Sequence, residues 1–316
     1  MYFLNQNVYI LVLYYLVMTV FSFIKLEGKK YPTVIMGEDN FTGWFGKKFF
    51  KTEDEREIAY RGAVETAYAN GVRGFSISPH PTLIKVLKSF KKEHPEIVCI
   101  ANPHWQSHYY VGNKSLWLKE NLNKLASTEK YYTDSDLIKD YPRLNDLNVN
   151  DRFSDDEILL MNVNEGEYLV QLTKFQTFCD FCLVGNLGHS AFILLGREDI
   201  IEREIEMVRG KGLIPLGMCQ GGGLAFSKMD SLNVAGHWGW INSHYIHPNR
   251  EYALREIRQI KKPITAYKIF TSPDGFNFNK SMAFIKSIAQ IKSIVVGVDN
   301  KEQAEETFRK LHKYWV

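Results

Sequence analysis

After Tyr31 the chain alternates short, β-branched apolar runs with longer amphipathic stretches, and this order constrains its fold more than any other feature. The runs are Thr33–Gly37, Arg73–Ser78, Ile97–Asn102, Phe181–Asn186, Leu213–Cys219, Leu232–His237, Ile264–Phe270 and Ser293–Val298. Near-continuous apolarity is what a parallel strand covered on both faces requires. Helical patterns lie between them at Glu53–Asn70, Leu83–Lys92, Arg197–Gly210, Asn249–Lys261, Phe278–Gln290 and Asn300–Trp315. Gly71, Pro95 and Pro263 sit where helix endings want them. Eight β-then-α units predict an α/β chain folded as a (β/α)8 TIM barrel, with an open doubly wound sheet as the alternative.

The chain has 316 residues, 45% of them hydrophobic, which is enough for one barrel of about 250 residues with additions. Its formal charge of +3 is too small and too dispersed for nucleic acid to be the main partner. A small-molecule substrate is the partner to expect; oligomeric state is not legible. Cys99, Cys179, Cys182 and Cys219 are too few and too apolar in setting for a disulfide scaffold. The Cys179–Cys182 spacing enters a strand rather than a helix, which marks it as packing.

Val8–Ile24 is an uncharged run of about 17 residues, the lower limit for a membrane-spanning helix. As an anchor it would leave the following domain cytoplasmic, because Lys25, Lys29 and Lys30 flank it. In the rival reading translation begins at Met18, and residues 1–17 are an extension without structural duty. Phe21–Met36 then reads as strand, Glu27-Gly28 turn and strand, closing the barrel bottom. Residues 18–316 form the barrel either way, on the cytoplasmic side. The interval of about eighty residues between the third and fourth strands is too long for a connection. Its segment 106–165 leaves a strand C-terminus and is expected to act as a lid.

Barrels of this kind do their chemistry at the C-terminal strand ends. Those positions hold Glu38, Asp39 and Asn40; His80; Asn102, His104 and Trp105; and Asn186. Further along they hold Gly221, Gly222 and Gly223; His237 and Trp238; and, inside the seventh run, Lys268. The eighth supplies Gly297, Asp299 and Asn300. Seven of the nine histidines and four of the six tryptophans, Trp44 among them, fall in these loops.

The chemistry follows from residue type. Glu38 or Asp39 suits a general base; being adjacent on an extended backbone, only one would face the centre. His80, His104 and His237 suit acid–base work near neutrality, or ligation of a divalent metal. Lys268, desolvated if inward, suits a Schiff-base amine or an anchor for an anion. The Gly221–Gly223 loop, and Gly297 with Asp299 and Asn300, offer backbone N–H groups to a phosphate or cofactor. Asn40, Trp44, Asn102, Trp105, Asn186 and Trp238 would line a polar, ring-bearing or phosphorylated substrate.

The last third, KPITAYKIF…SIVVGVDNKEQAEETFRKL from Lys262 to Leu311, resembles the closing units of aldo/keto-reductase-like barrels. The hairpin before the first strand also resembles how those barrels start. The resemblance implies NADP as cofactor, its phosphate at the Gly297 strand end and the helix after it. The catalytic set of that family departs: its Asp falls near Ser76–Ser78, its Tyr is absent from Pro79–Leu87, its Lys meets Asn102 and its His meets Asn186. The sequence therefore points to a barrel enzyme of lyase, isomerase or metal-assisted hydrolase type. The alternatives are a diverged NADP-dependent oxidoreductase and a catalytically silent ligand-binding barrel.

Overall fold

The computed structural model describes residues 19–43, 50–103, 108–132, 147–185, 189–219, 226–244, 250–270 and 277–315. A hairpin of β1 (Phe23–Leu26) and β2 (Lys29–Pro32) comes first. Its two turn residues, Glu27 at φ 47° and Gly28 at φ 82°, take the left-handed backbone that matches strand twist in a two-residue turn. Arg209 grips the Glu27 carboxylate at 2.7 and 3.0 Å and holds that turn against the barrel.

The barrel strands are β3 (Val34–Gly37), β4 (Gly74–Ile77) and β5 (Val98–Ala101), then, after an insertion, five more. The insertion contains the small antiparallel sheet of β6 (Tyr109–Val111), β7 (Lys114–Ser115) and β8 (Met161–Val163). The five are β9 (Phe181–Val184), β10 (Ile214–Cys219), β11 (His237–Trp240), β12 (Ile264–Tyr267) and β13 (Ile291–Gly297). All eight pair in parallel in chain order, and β13 returns to β3, closing the ring. The fold is therefore the closed (β/α)8 barrel and not the open sheet.

Strand alternation sorts the core into two shells. Ile35, Val98, Ile100, Phe181, Leu183, Leu216, Met218, Tyr267 and Val295 fill the lumen. Val34, Met36, Phe75, Cys99, Cys182, Ala266 and Ile294 face the helices. Tyr31 from the hairpin plugs the bottom: its hydroxyl lies 2.8 Å from Thr265 Oγ1 and accepts Trp238 Nε1–H at 2.8 Å. A buried phenol so partnered costs little desolvation, which is why the hairpin can close the floor.

The helices are α1 (Asp39–Thr42), α2 (Glu53–Ala69), α3 (Pro81–Glu93), α4 (Lys119–Tyr132), α5 (Asp155–Leu159) and α6 (Glu165–Phe175). After β9 come α7 (His189–Leu194), α8 (Glu198–Gly210), α9 (Phe226–Ser231), α10 (Arg250–Gln259), α11 (Phe278–Lys286) and α12 (Lys301–Leu311). Thr52 caps α2 by accepting Glu55 N–H, ahead of three acidic residues in its first turn. Ser154 and Glu157 cap α5 reciprocally. The insertion is fastened to α8 by His108 and Glu204, both buried, at 3.0 Å. Of the expected lid, 106–165, residues 108–132 and 147–165 are described, and 106–107 and 133–146 lie outside the described residues.

Two expectations need correction. Leu232–His237 is not the sixth strand; β11 begins at His237. Leu232 and Val234 are buried in the outer shell, and Val234 N–H bonds Leu232 O at 2.8 Å in a tight turn after α9. Their apolarity serves packing beneath a helix. The Val8–Ile24 span also fails at its end: Phe21 N–H bonds Gly71 O, and Phe23 and Ile24 are in β1. Residues 1–18 lie outside the described residues, and no described helix is long and apolar enough to cross a membrane.

Candidate active site

At the top of β3, Gly37 faces β13 so closely that a Cβ there would lie 3.2 Å from Val295 Cγ1. The next residue, Glu38, leaves the strand with helical φ −103° and ψ −8°. That turn swings its carboxylate over the neighbouring strands. Ser76 Oγ and Ser78 Oγ donate to it, and Asn102 Nδ2 lies 3.4 Å from Oε1. Glu38 is 1% exposed. A carboxylate so buried is tolerated only when hydrogen bonds replace water, and here three neutral side chains do so.

Asp39 opens α1 beside it, half-buried. Burial pushes its carboxyl up, the Glu38 charge adds to this and Lys268 opposes it; the result is about 7. The helical turn at Glu38 corrects the premise of an extended backbone behind the expectation that only one of the two carboxylates faces the centre.

Lys268 comes just after β12 rather than inside it, at φ 54°. For a residue with a Cβ this left-handed conformation costs of order 1–2 kcal/mol. The turn carries Nζ over the Trp240 ring, 4.5 Å from its centroid. Asn242 Nδ2, at 3.3 Å, donates to the Lys268 carbonyl. Tyr267 lies directly below, in the lumen, with its hydroxyl buried and lacking a hydrogen-bond partner. Burial pushes its phenol well up, and the neighbouring Cys219 and Asp39 add to the effect. Tyr267 was not legible as a site residue, because a tyrosine in an apolar run reads as core. The one available signal is its two-residue spacing from the inward Thr265.

Other predicted residues fall elsewhere. His237 faces the helix layer, with Nε2 3.0 Å from Asp230 Oδ1 of α9 and its ring against Phe226. Trp238 faces the lumen, but at the floor, bonded to Tyr31. Both corrections follow from β11 starting at His237, which puts these residues at the strand's beginning and not at the mouth. His80 precedes α3 at the rim without a side-chain capping bond, its Nε2 against Arg56 Nη1 of α2. Among the described residues no three His, Cys, Asp or Glu side chains gather as a metal group. Of the expected metal set of His80, His104 and His237, His80 meets Arg56 and His237 faces the helix layer, so these two do not converge at the mouth. Trp44, His104, Trp105, Asn186, Gly221, Gly222 and Gly223 lie outside the described residues.

Asn40 rests against the β13 end, 3.5 Å from where a Gly297 Cβ would be. Asn300 caps α12 by accepting Gln303 N–H at 2.8 Å, and Gln303 Oε1 takes the Asp299 N–H at 2.5 Å. Glu302 adds a carboxylate to the first turn. The Asn300 and Gln303 bonds occupy two N–H groups of the helix start, where Lys301 Nζ stands 3.9 Å from the Glu302 carboxylate.

No family's sequence model matches the chain, and no curated protein matches it in sequence. Solved structures do match in shape. Two structures of Pseudomonas aeruginosa proteins assigned as aldo-keto reductases superpose with TM-scores of 0.51 and 0.53 at 14% and 13% identity. They cover 95% and 94% of this chain and 99% and 97% of their own. An aldo-keto reductase from Bacillus halodurans, in its holo form, gives 0.51 at 8% identity over 92% of this chain and 91% of that one. The chain thus has the aldo-keto-reductase-like (β/α)8 fold.

Proposed function

We propose that this protein is an acid–base enzyme of lyase or isomerase type, acting on a small polar metabolite that carries a carbonyl group. One observation carries the reading: at the barrel mouth, burial and the charge of Glu38 push the Asp39 carboxyl up to about 7 against the opposing charge of Lys268. A group that titrates near working pH both accepts and returns a proton readily. Asp39 takes the proton from the carbon beside the carbonyl. Lys268 stabilises the negative charge that develops on the carbonyl oxygen. Glu38, fixed by Ser76, Ser78 and Asn102, keeps the Asp39 proton affinity high by like-charge repulsion. Asn40 and Trp240 line the mouth as substrate contacts.

A second reading, an oxidoreductase of diverged aldo/keto-reductase type, is supported by the names of the structures that share the fold. Tyr267, Lys268 and Asp39 supply a phenol, an ammonium and a carboxyl, drawn from the end of β12, the residue after it and the start of α1 rather than from the positions occupied by Ser76 and Asn102. When bound, NADPH would supply hydride. Its phosphate would lie at the Gly297 strand end and the start of α12.

Incubation of the full chain in heavy water with a panel of hydroxy-aldehydes and hydroxy-ketones tests the first reading. Deuterium should appear beside the carbonyl with wild type and not with Asp39→Asn. No incorporation, together with a rise in melting temperature on adding NADPH, would replace it with the second.

A further inference from the structure

β11 and β12 run side by side, with Trp240 opposite Tyr267 in the ladder. Tyr267 faces the lumen and Ala266 the helix layer. In an unbroken strand Lys268 would therefore follow Ala266 outward, into a layer of apolar side chains. The left-handed turn at Lys268, φ 54°, prevents this. It leaves Nζ over the Trp240 ring at the mouth, while Ile269 packs in the outer shell.

Glycine adopts such a turn freely; a residue with a side chain keeps it where its surroundings over-determine the backbone. The end of β11 grips Lys268 at both of its ends. Trp240 takes the ammonium, 4.5 Å from its ring centroid, and Asn242 Nδ2 donates to the carbonyl at 3.3 Å. Asn242 is 1% exposed. Its Oδ1 accepts the His244 N–H at 2.9 Å, which gives the amide one orientation. Turned over, the amide would set its oxygen against the Lys268 oxygen and its NH2 against the His244 N–H. Ile241, between the two gripping residues, is buried in the outer shell.

We propose that Asn242 is the positioning residue for Lys268: it fixes the turn that holds the ammonium at the mouth and out of the helix layer. The cost of a left-handed lysine is of the order of one hydrogen bond, so loss of the Asn242 bond suffices to release the turn. The role in catalysis rests on the acid–base reading above, in which Lys268 stabilises the developing negative charge. The grip itself needs no substrate.

The Asp39 carboxyl reports where the ammonium is. Two charges act on it, Glu38 raising its proton affinity and Lys268 lowering it, and the Tyr267 phenol senses it in turn. Its titration is followed in the full chain by carbon NMR of the carboxyl group, the signal being identified by its loss in Asp39→Asn. Wild type should titrate at about 7. Asn242→Leu, similar in shape and without polar atoms, should move the midpoint up by about one pH unit, as Lys268→Met should, because both remove the opposing charge. In the Lys268→Met background Asn242→Leu should add nothing. A residue that merely supported the fold would move the midpoint equally in both backgrounds or in neither. An unmoved midpoint in Asn242→Leu, or the same step in both backgrounds, overturns the proposal. If Asn242→Leu does not fold, Asn242→Ser decides: its hydroxyl still accepts the His244 N–H and is too short to reach Lys268. In deuterium exchange the pH–rate profile should move with the Asp39 midpoint. A wild type that exchanges no deuterium strikes the acid–base reading alone, since the carboxyl titration reads the grip without substrate.

Discussion

Glu204 Oε1 lies 3.0 Å from His108 Nε2, and its other oxygen accepts the N–H of Gly185 at 2.7 Å. One buried carboxylate on α8 thus ties the start of the insertion to the upper end of β9. Glu204→Ala leaves an imidazole and a backbone N–H buried without an acceptor and should cost about 3–5 kcal/mol in urea unfolding. Glu204→Gln, which retains an oxygen, should lose less, and its Gly185 amide should exchange faster. The pair His108→Phe with Glu204→Met should recover much of the loss, because the neighbours Tyr109, Tyr168 and Phe192 are aromatic. A double variant as unstable as Glu204→Ala would rule out the buried pair as the cause.

The floor makes a separate prediction. Tyr31→Phe removes the acceptor of Trp238 Nε1–H and the partner of Thr265. The expected loss is about 1–3 kcal/mol. Trp238→Phe should likewise lower stability while leaving substrate affinity unchanged, since its ring lies beneath the lumen layer that holds Tyr267. A changed KM in Trp238→Phe would return that residue to the mouth.

Seven of the eight barrel strands were legible within three residues at either end, since β-branched runs buried on both faces have no competing reading. The sixth was misread because Leu232 and Val234 are as apolar as a strand, yet pack in a turn beneath the helix layer. That slip moved His237 and Trp238 from the strand's start to its end, and with it two residues of the candidate site. Glu38, Asp39 and Lys268 were legible, since charge at the end of an apolar run stands out. Ser76 and Ser78 were not, because a small hydroxyl inside a strand carries no sign of what it donates to. Nor was the Arg56–His80 contact, which joins two helices through side chains that pattern alone leaves on the surface.

His237 and Asp230 set a response to acid. Burial holds His237 below its ordinary range, so the ring stays neutral in the fold despite the nearby carboxylate. Burial pushes Asp230 up, but hydrogen bonds from His237 and from the backbone N–H of Lys261 and Lys262 outweigh it and leave the carboxyl at about 2. The unfolded chain binds a proton at each site before the folded one does, so stability falls with pH in two windows. The first opens below about 6.5 and is shared with His80, which burial also holds below its ordinary range; the second runs from about 4 to 2. Urea midpoints at pH 7.5, 5 and 3 should show both steps. His237→Gln should reduce the first step and spare the second; an unchanged first step would mean that His237 is protonated in the fold.

Asp39 has the opposite sign. Its folded carboxyl holds a proton to about 7, whereas an unfolded aspartate releases it near 4. The folded chain therefore binds more protons between those values, and stability declines as pH rises through that window. Asp39→Asn removes the charge that burial and Glu38 resist. The variant should match wild type near pH 4 and exceed it at pH 8 by roughly 2–4 kcal/mol, the free energy of a shift of that size. Lys268→Met should act the other way at pH 8, because Asp39 then loses the ammonium that favours its charged form. Lys268→Gly separates strain from charge: glycine relaxes the left-handed backbone and should offset part of the loss seen with Met. Unfolding curves for the three variants at pH 4 and 8 decide the matter. An Asp39→Asn protein no more stable than wild type at pH 8 would mean that the carboxyl ionises freely, and the proton carrier of the proposed reaction would have to be sought elsewhere in the mouth.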